Sequence, residues 1–134
     1  MTIATCIEAC PAHKIRRRTV ANATAIPKGT VLKLTDPNTA AASAADNDPF
    51  GGIALEEKTA SDGITEIAAA TGGKWSMAST AAAVTAGAIV NIGGADAIVA
   101  SGAADLLTGS VVGKALNTVG GGGGTVIVEV GEMI

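Results

Sequence analysis

With 134 residues and a formal charge of −3, the chain is long enough for one domain with a real core and too short for two ordinary ones. Phe50 and Trp75 are its only aromatics, so a core of Ala, Val, Ile and Leu is thin and gains from subunit association. The acidic body argues against a general nucleic-acid binder, which needs a basic surface, and no apolar run approaches a membrane span.

Residues 1–12 have little periodicity and read as part of a flexible arm. The stretch HKIRRRTV (13–20) suits a short strand or an extension of that arm. Residues 1–18 carry Lys14, Arg16, Arg17 and Arg18 against Glu8, a net +3, while the other residues sum to −6. The apolar core of a signal peptide is missing from this segment, so the chain reads as soluble and made in a cytoplasm.

Ala25–Leu34 reads as a strand: Pro27 and Gly29 turn the chain, and Val31, Leu32 and Leu34 supply β-favouring side chains. Asp36-Pro37-Asn38 ends it with turn chemistry. Residues 39–49 are small and polar and read as a loop with at most one helical turn. Phe50–Leu55 has the character of a buried strand, Glu56–Gly63 of a charged turn, and Ile64–Ala70 of a return strand. After Thr71-Gly72-Gly73, Lys74–Met77 forms a brief strand and Ala78–Ala83 a connector.

The order then recurs. Ala88–Ile92 and Ala97–Ala100 are expected strands around a turn at Gly93–Asp96, Ala103–Leu107 a helical turn, and Val111–Leu116 a strand. Glycines 120–124 then lead into a closing strand, Thr125–Val130. IPKGTVLKL (26–34) is echoed by VTAGAIVNI (84–92) at a spacing of 58, and GIAL (52–55) by GKAL (113–116) at 61. ITEI (64–67) is echoed by IVEV (127–130) at 63. Growth of the spacing between blocks fits insertions into loops.

Two similar β units are therefore expected, at about 25–73 and 83–131, within one β domain over 19–134 that follows the basic arm 1–18. The implied class is all-β, a compact small barrel or sandwich.

Catalytic and ligand motifs are weak. The glycine run enters a strand and no GK[ST] follows it, so it is a hairpin tip and not a phosphate loop. The single histidine, His13, lies in the expected arm, away from any rigid nucleophile–base pair. Cys6, Cys10 and His13 provide three zinc-ligand types but no fourth, so free thiols are expected and no metal or other cofactor. The reading is of a non-enzyme. Contact residues for a partner are sought among Lys14, Arg16, Arg17 and Arg18, and at Trp75, which suits a core plug or an interface anchor.

The segments IPKGTVLKL, FGGIALEE, GITEIAAATGG, VTAGAIVNI and TGSVVGKALN together resemble the small capsid decoration (cement) proteins of tailed bacteriophages, over roughly residues 25–131. The resemblance implies a β-tulip or β-clip fold and a homotrimer, with a dimer as the alternative. It implies seating on the major capsid protein at the outer surface of an assembled phage head, with no direct nucleic-acid or membrane contact. Such a protein is found in the virion, and in the host cytoplasm during assembly. The opening I-x-x-G-x-x-V also resembles carbohydrate-binding β-clip modules of the SAF type. Another minor virion subunit, such as a head-fibre base, is a further alternative.

Overall fold

The computed structural model describes residues 3–80, 82–102 and 109–131, and eleven strands run through these described residues. They are β1 (Thr5–Glu8), β2 (Ile15–Thr19), β3 (Val31–Asp36), β4 (Thr39–Ala42), β5 (Phe50–Ala54) and β6 (Glu66–Ala70). β7 (Lys74–Ser79), β8 (Ile89–Gly94), β9 (Ala97–Ala100), β10 (Val111–Ala115) and β11 (Thr125–Val130) follow. The only helical element among the described residues is a 3₁₀ turn at Ala12–Lys14. The protein is all-β. The helical turn expected at Ala103–Leu107 lies outside the described residues.

Two closed five-stranded barrels result. The first runs β2-β4-β3-β5-β6, and the second closes β7-β11-β10-β8-β9 through a parallel pairing of β7 with β9. Their ladders correspond strand by strand. Ile15 pairs with Ala70 as Lys74 pairs with Glu129, and Leu32 with Gly52 as Val90 with Gly113. Thr19 meets Thr39 in parallel as Ala78 meets Ala97. The isolated bridges Ile26↔Lys58 and Val84↔Val119 match as well. The chain is a structural duplication.

The repeats begin earlier than the sequence echo, at β2 and β7. Two of the echoes coincide with the ladder and the third does not. β6 maps onto β11 at a spacing of 59, placing Ile67 on Val126 and Ala69 on Val128. The match of ITEI to IVEV at 63 is therefore out of register. Residues 39–49 also differ from the expected loop, because Thr39–Ala42 pairs with β3 as β4.

Period-two alternation explains each interior. In the first barrel Val20, Ile26, Leu32, Ala40, Ala54, Ile67 and Ala69 point inward. At the equivalent places the second barrel has Val84, Val90, Ile98, Ala115, Val126 and Val128, within a larger cluster that includes Trp75 and Met77. Full burial of a Val, Leu or Ile is worth about 1.5–3 kcal/mol, so the alanines at 40 and 69 make the first interior the weaker one. The glycine of each G-x-A-L block is a packing requirement. A Cβ on Gly113 would lie 2.2 Å from the Glu129 carbonyl oxygen, and one on Gly52 would lie 2.8 Å from the Ala69 Cβ.

The barrels share a junction. Val31, Ile53 and Ala70 point out of the first barrel, are fully buried, and belong to the apolar cluster of the second. Polar groups lock this seam. Asp96, in the β8–β9 turn, accepts the Val31 N–H at 2.8 Å, and its own N–H donates to Ser43 Oγ at 3.1 Å. Ser43 Oγ donates to the Gly94 carbonyl at 2.9 Å, and Asn47 N–H to the Ile92 carbonyl at 2.9 Å. Asn91 Nδ2 donates to Asn47 Oδ1 at 2.5 Å. Burial pushes the Asp96 carboxyl pKa up, and the Val31 N–H only partly offsets that.

Candidate interaction surface

The five residues singled out for partner contact do not form one patch. Lys14 ends the 3₁₀ turn and is half-buried, beside a cleft of about 150 Å³ that Glu8, Lys74 and Glu129 also line. Arg16, Arg17 and Arg18 are consecutive on β2, so alternation turns Arg17 to one face and its neighbours to the other. Arg17 is neutralised locally: Nε donates to Glu66 at 2.9 Å and Nη1 to Glu56 at 3.1 Å. Its hydrogen bond to Glu66 is the main cause of a raised guanidinium pKa.

Arg18 closes the end of the first barrel. Nε donates to the Gly51 carbonyl at 3.0 Å and Nη1 to Asn38 Oδ1 at 3.2 Å. Burial lowers its pKa, and the positive charge of Arg16 adds to the effect. Met77 holds the equivalent place in the second barrel and Trp75 that of Arg16, so one barrel end is apolar and the other cationic.

Trp75 must be removed from the surface candidates. It is 2% exposed, and its Nε1 donates to the Gly72 carbonyl at 3.0 Å. Of its two expected roles, the structure gives it the core one, because β1 and the first barrel cover the β7 end where it sits.

The mobile arm expected over residues 1–18 is also corrected. Residues 5–8 pair with β7 and residues 15–19 with β6, so two stretches of the segment are held as strands. Ala4 N–H donates to the Gly29 carbonyl at 2.9 Å, tying the segment to the first barrel as well. Exposure alone does not make an arm: β1 has every residue exposed and is still held by its backbone ladder.

Sequence reasoning also missed Lys58, which falls in the expected charged turn and is 1% exposed. Its Nζ donates to the carbonyls of Asn22 at 2.6 Å, Thr24 at 2.9 Å and Thr59 at 3.1 Å, with Asp62 Oδ1 at 3.5 Å. That cradle fastens the β5–β6 loop to the segment before β3. No local sequence signal announces it, since two of the carbonyls lie more than thirty residues away.

Cys6 and Cys10 are free thiols, and among the described residues no group of three or more His, Cys, Asp or Glu could hold a metal ion. A second cleft, about 310 Å³, lies by the start of β1 and is lined by Cys6, Lys28 and Trp75. The chain matches no protein-family model and no curated protein.

Proposed function

We propose that the chain is a non-enzymatic decoration protein that binds the outer surface of an assembled phage head and stabilises it. The observation that carries this reading is the basic β2 end of an otherwise acidic body, with Arg16 and Arg18 lacking a carboxylate within 4.0 Å among the described residues. The segments that resemble decoration proteins span β3, β5 and β6 of the first repeat and β8 and β10 of the second. A protein that binds the assembled shell and not free coat subunits stabilises the shell by mass action. Many copies on a symmetric lattice make modest affinity per site sufficient.

Self-association belongs to the same proposal. Ile3, Ile7, Ile15, Ile64 and Leu116 are each 36–52% exposed, and a homotrimer, or a dimer, would cover part of that surface. The sugar-binding alternative has less support, since Trp75 is buried and Phe50 half-buried, leaving no open aromatic platform.

The test is addition of purified protein to undecorated mature heads. Binding should saturate at a simple multiple of the lattice repeat and raise the temperature at which heads release DNA. Saturable binding with no gain in head stability would make a surface adhesin the better reading, and absence of binding removes the assignment.

A further inference from the structure

The two repeats differ at one strand edge. β7 has β11 along one side, and along the other it has β1 beside residues 74–76 and β9 beside residues 78–79. β2 holds the same ladder position in the first barrel, with Ile15, Arg16 and Arg17 matching Lys74, Trp75 and Ser76. β6 lines one side of β2, and β4 meets the other side only at Thr19. Among the described residues no strand lies beside Ile15–Arg18.

Alternation identifies the backbone groups this leaves open. In an antiparallel pair, every second residue turns both of its amide groups toward the partner. Thr71 N–H donates to the Lys14 carbonyl and Val20 N–H to that of Thr65, so the even-numbered residues face β6. Thr19 N–H donates to Asn38 on the opposite side. Arg17 therefore directs its N–H and C=O away from β6, as Ile15 does its C=O. The Ile15 N–H is taken by Ala12 in the preceding turn. Arg16 Nη1 holds the His13 carbonyl at 2.7 Å and lies 3.4 Å from that of Ile15, a contact long enough for a better acceptor to displace.

We propose that this edge takes an extended acidic segment of a partner protein as an added antiparallel strand, as β7 takes β1. Backbone hydrogen bonds to Arg17 and Ile15 set the register, and carboxylates on alternate residues of the segment reach Arg16 and Arg18. The chain contains its own precedent: β1 carries Glu8, whose Oε2 lies 3.1 Å from Lys74 Nζ. This inference does not depend on the capsid reading, because it specifies the chemistry of the segment and not its source.

The test uses the full chain labelled with ¹⁵N and a synthetic seven-residue peptide alternating glutamate and threonine. At saturating peptide, hydrogen exchange of the Arg17 amide should slow about tenfold, with shift changes centred on residues 13–20. The same peptide with lysine for glutamate should leave exchange unchanged. Arg16→Glu, an exposed substitution whose fold is checked by its melting curve, should weaken the acidic peptide about tenfold. Unchanged Arg17 exchange with the acidic peptide, or equal slowing by the lysine peptide, overturns the proposal. Tighter binding of a short single-stranded DNA at the same residues also overturns it and identifies a phosphate site.

Discussion

Two walls of this molecule occupy equivalent ladder positions and carry opposite side chains. On the first barrel the outward row, each residue paired with the next across strands, is Ile15, Ala70, Ile53 and Val31. On the second barrel the matching row is Lys74, Glu129, Lys114 and Ile89. Val31, Ile53 and Ala70 are completely buried beneath the second barrel, whereas all four residues of the second row remain partly exposed. Gly29 and Gly87 repeat the contrast. A Cβ on Gly29 would lie 2.4 Å from the Ala4 carbonyl oxygen, and one on Gly87 would meet nothing within 4 Å. One backbone thus serves two purposes, and the outward residues decide which wall is covered. Charge on the outer wall of a final repeat is how stacked arrays stop.

The largest effect should come from giving the first wall the character of the second. Ile53→Lys places an unpaired ammonium in the closed junction, with the cost of a buried charge and the loss of a packed side chain. We expect a loss of about 4 kcal/mol or more in urea unfolding. The equivalent Lys114→Ile should change stability by less than about 1 kcal/mol, because that site is partly open. Similar losses at both sites would mean that the junction contributes little to the fold.

The reverse exchange tests what ends the array. Lys114→Ile with Glu129→Ala makes the second wall resemble the first, leaving an apolar face for the first barrel of another copy to cover. A head-to-tail contact of this kind builds rings or filaments. Sedimentation equilibrium should show a mass that grows with concentration beyond that of the parent. If the variant keeps the parent mass at high concentration, the charged row is not what limits stacking.

The same comparison shows how far the sequence could be read. Gly52 with Gly113, and Val31, Leu32 and Leu34 with Ile89, Val90 and Ile92, were legible because a tight approach demands glycine and the strands demand branched side chains. The third echo went astray for a physical reason. A shift of four residues preserves the inward and outward alternation, so ITEI fits IVEV while the true ladder joins Ile67 to Val126. β4 was missed because Ala40, Ala41 and Ala42 carry little strand signal, although AIVA at the same place in the second repeat does. β1 depends on β7, about seventy residues away, and nothing local to residues 1–18 separates a docked strand from a free arm. The basic residues of the candidate surface were visible. Their division into a neutralised Arg17 and an Arg16–Arg18 face without carboxylate partners was not, because it depends on Glu66 of the neighbouring β6 and on Glu56, both far away in sequence.

Lys58 offers a smaller test of equivalence. Its place in the ladder is that of Val119, a half-buried apolar residue. Lys58→Val gives the first barrel the solution used by the second, but leaves the carbonyls of Asn22, Thr24 and Thr59 without their donor. Losing a donor from fully buried acceptors costs about 1–3 kcal/mol; these are part-buried, so a fall toward the lower end of that range is expected by chemical denaturation. A neutral result would mean that water replaces the ammonium without loss.

The smallest effect lies at Asp96, whose counterpart in the first barrel is Asn38; both turn residues have positive φ, 51° and 55°. Burial raises the Asp96 carboxyl pKa above its ordinary 3.8, so between that value and the folded-state pKa the native protein binds more protons than the unfolded chain. This group therefore makes stability fall as pH rises through that interval, the opposite of a carboxylate whose pKa is depressed. Asp48 is such a carboxylate: burial opposes its ionisation, but the Ala44 and Ala45 N–H groups and Lys33 outweigh burial. Asp48 contributes stability above the ordinary carboxylate range that is lost as pH falls through its folded value. Asp96→Asn keeps an oxygen for the Val31 N–H and removes the charge, giving the second repeat the residue of the first. The variant should gain on the parent as pH rises from 3.8 and hold a constant advantage above the folded pKa, with Asp48 present in both proteins and cancelling in the difference. Parallel stability curves for the two proteins across that interval would show that the seam hydrates Asp96 well enough to carry its charge without cost.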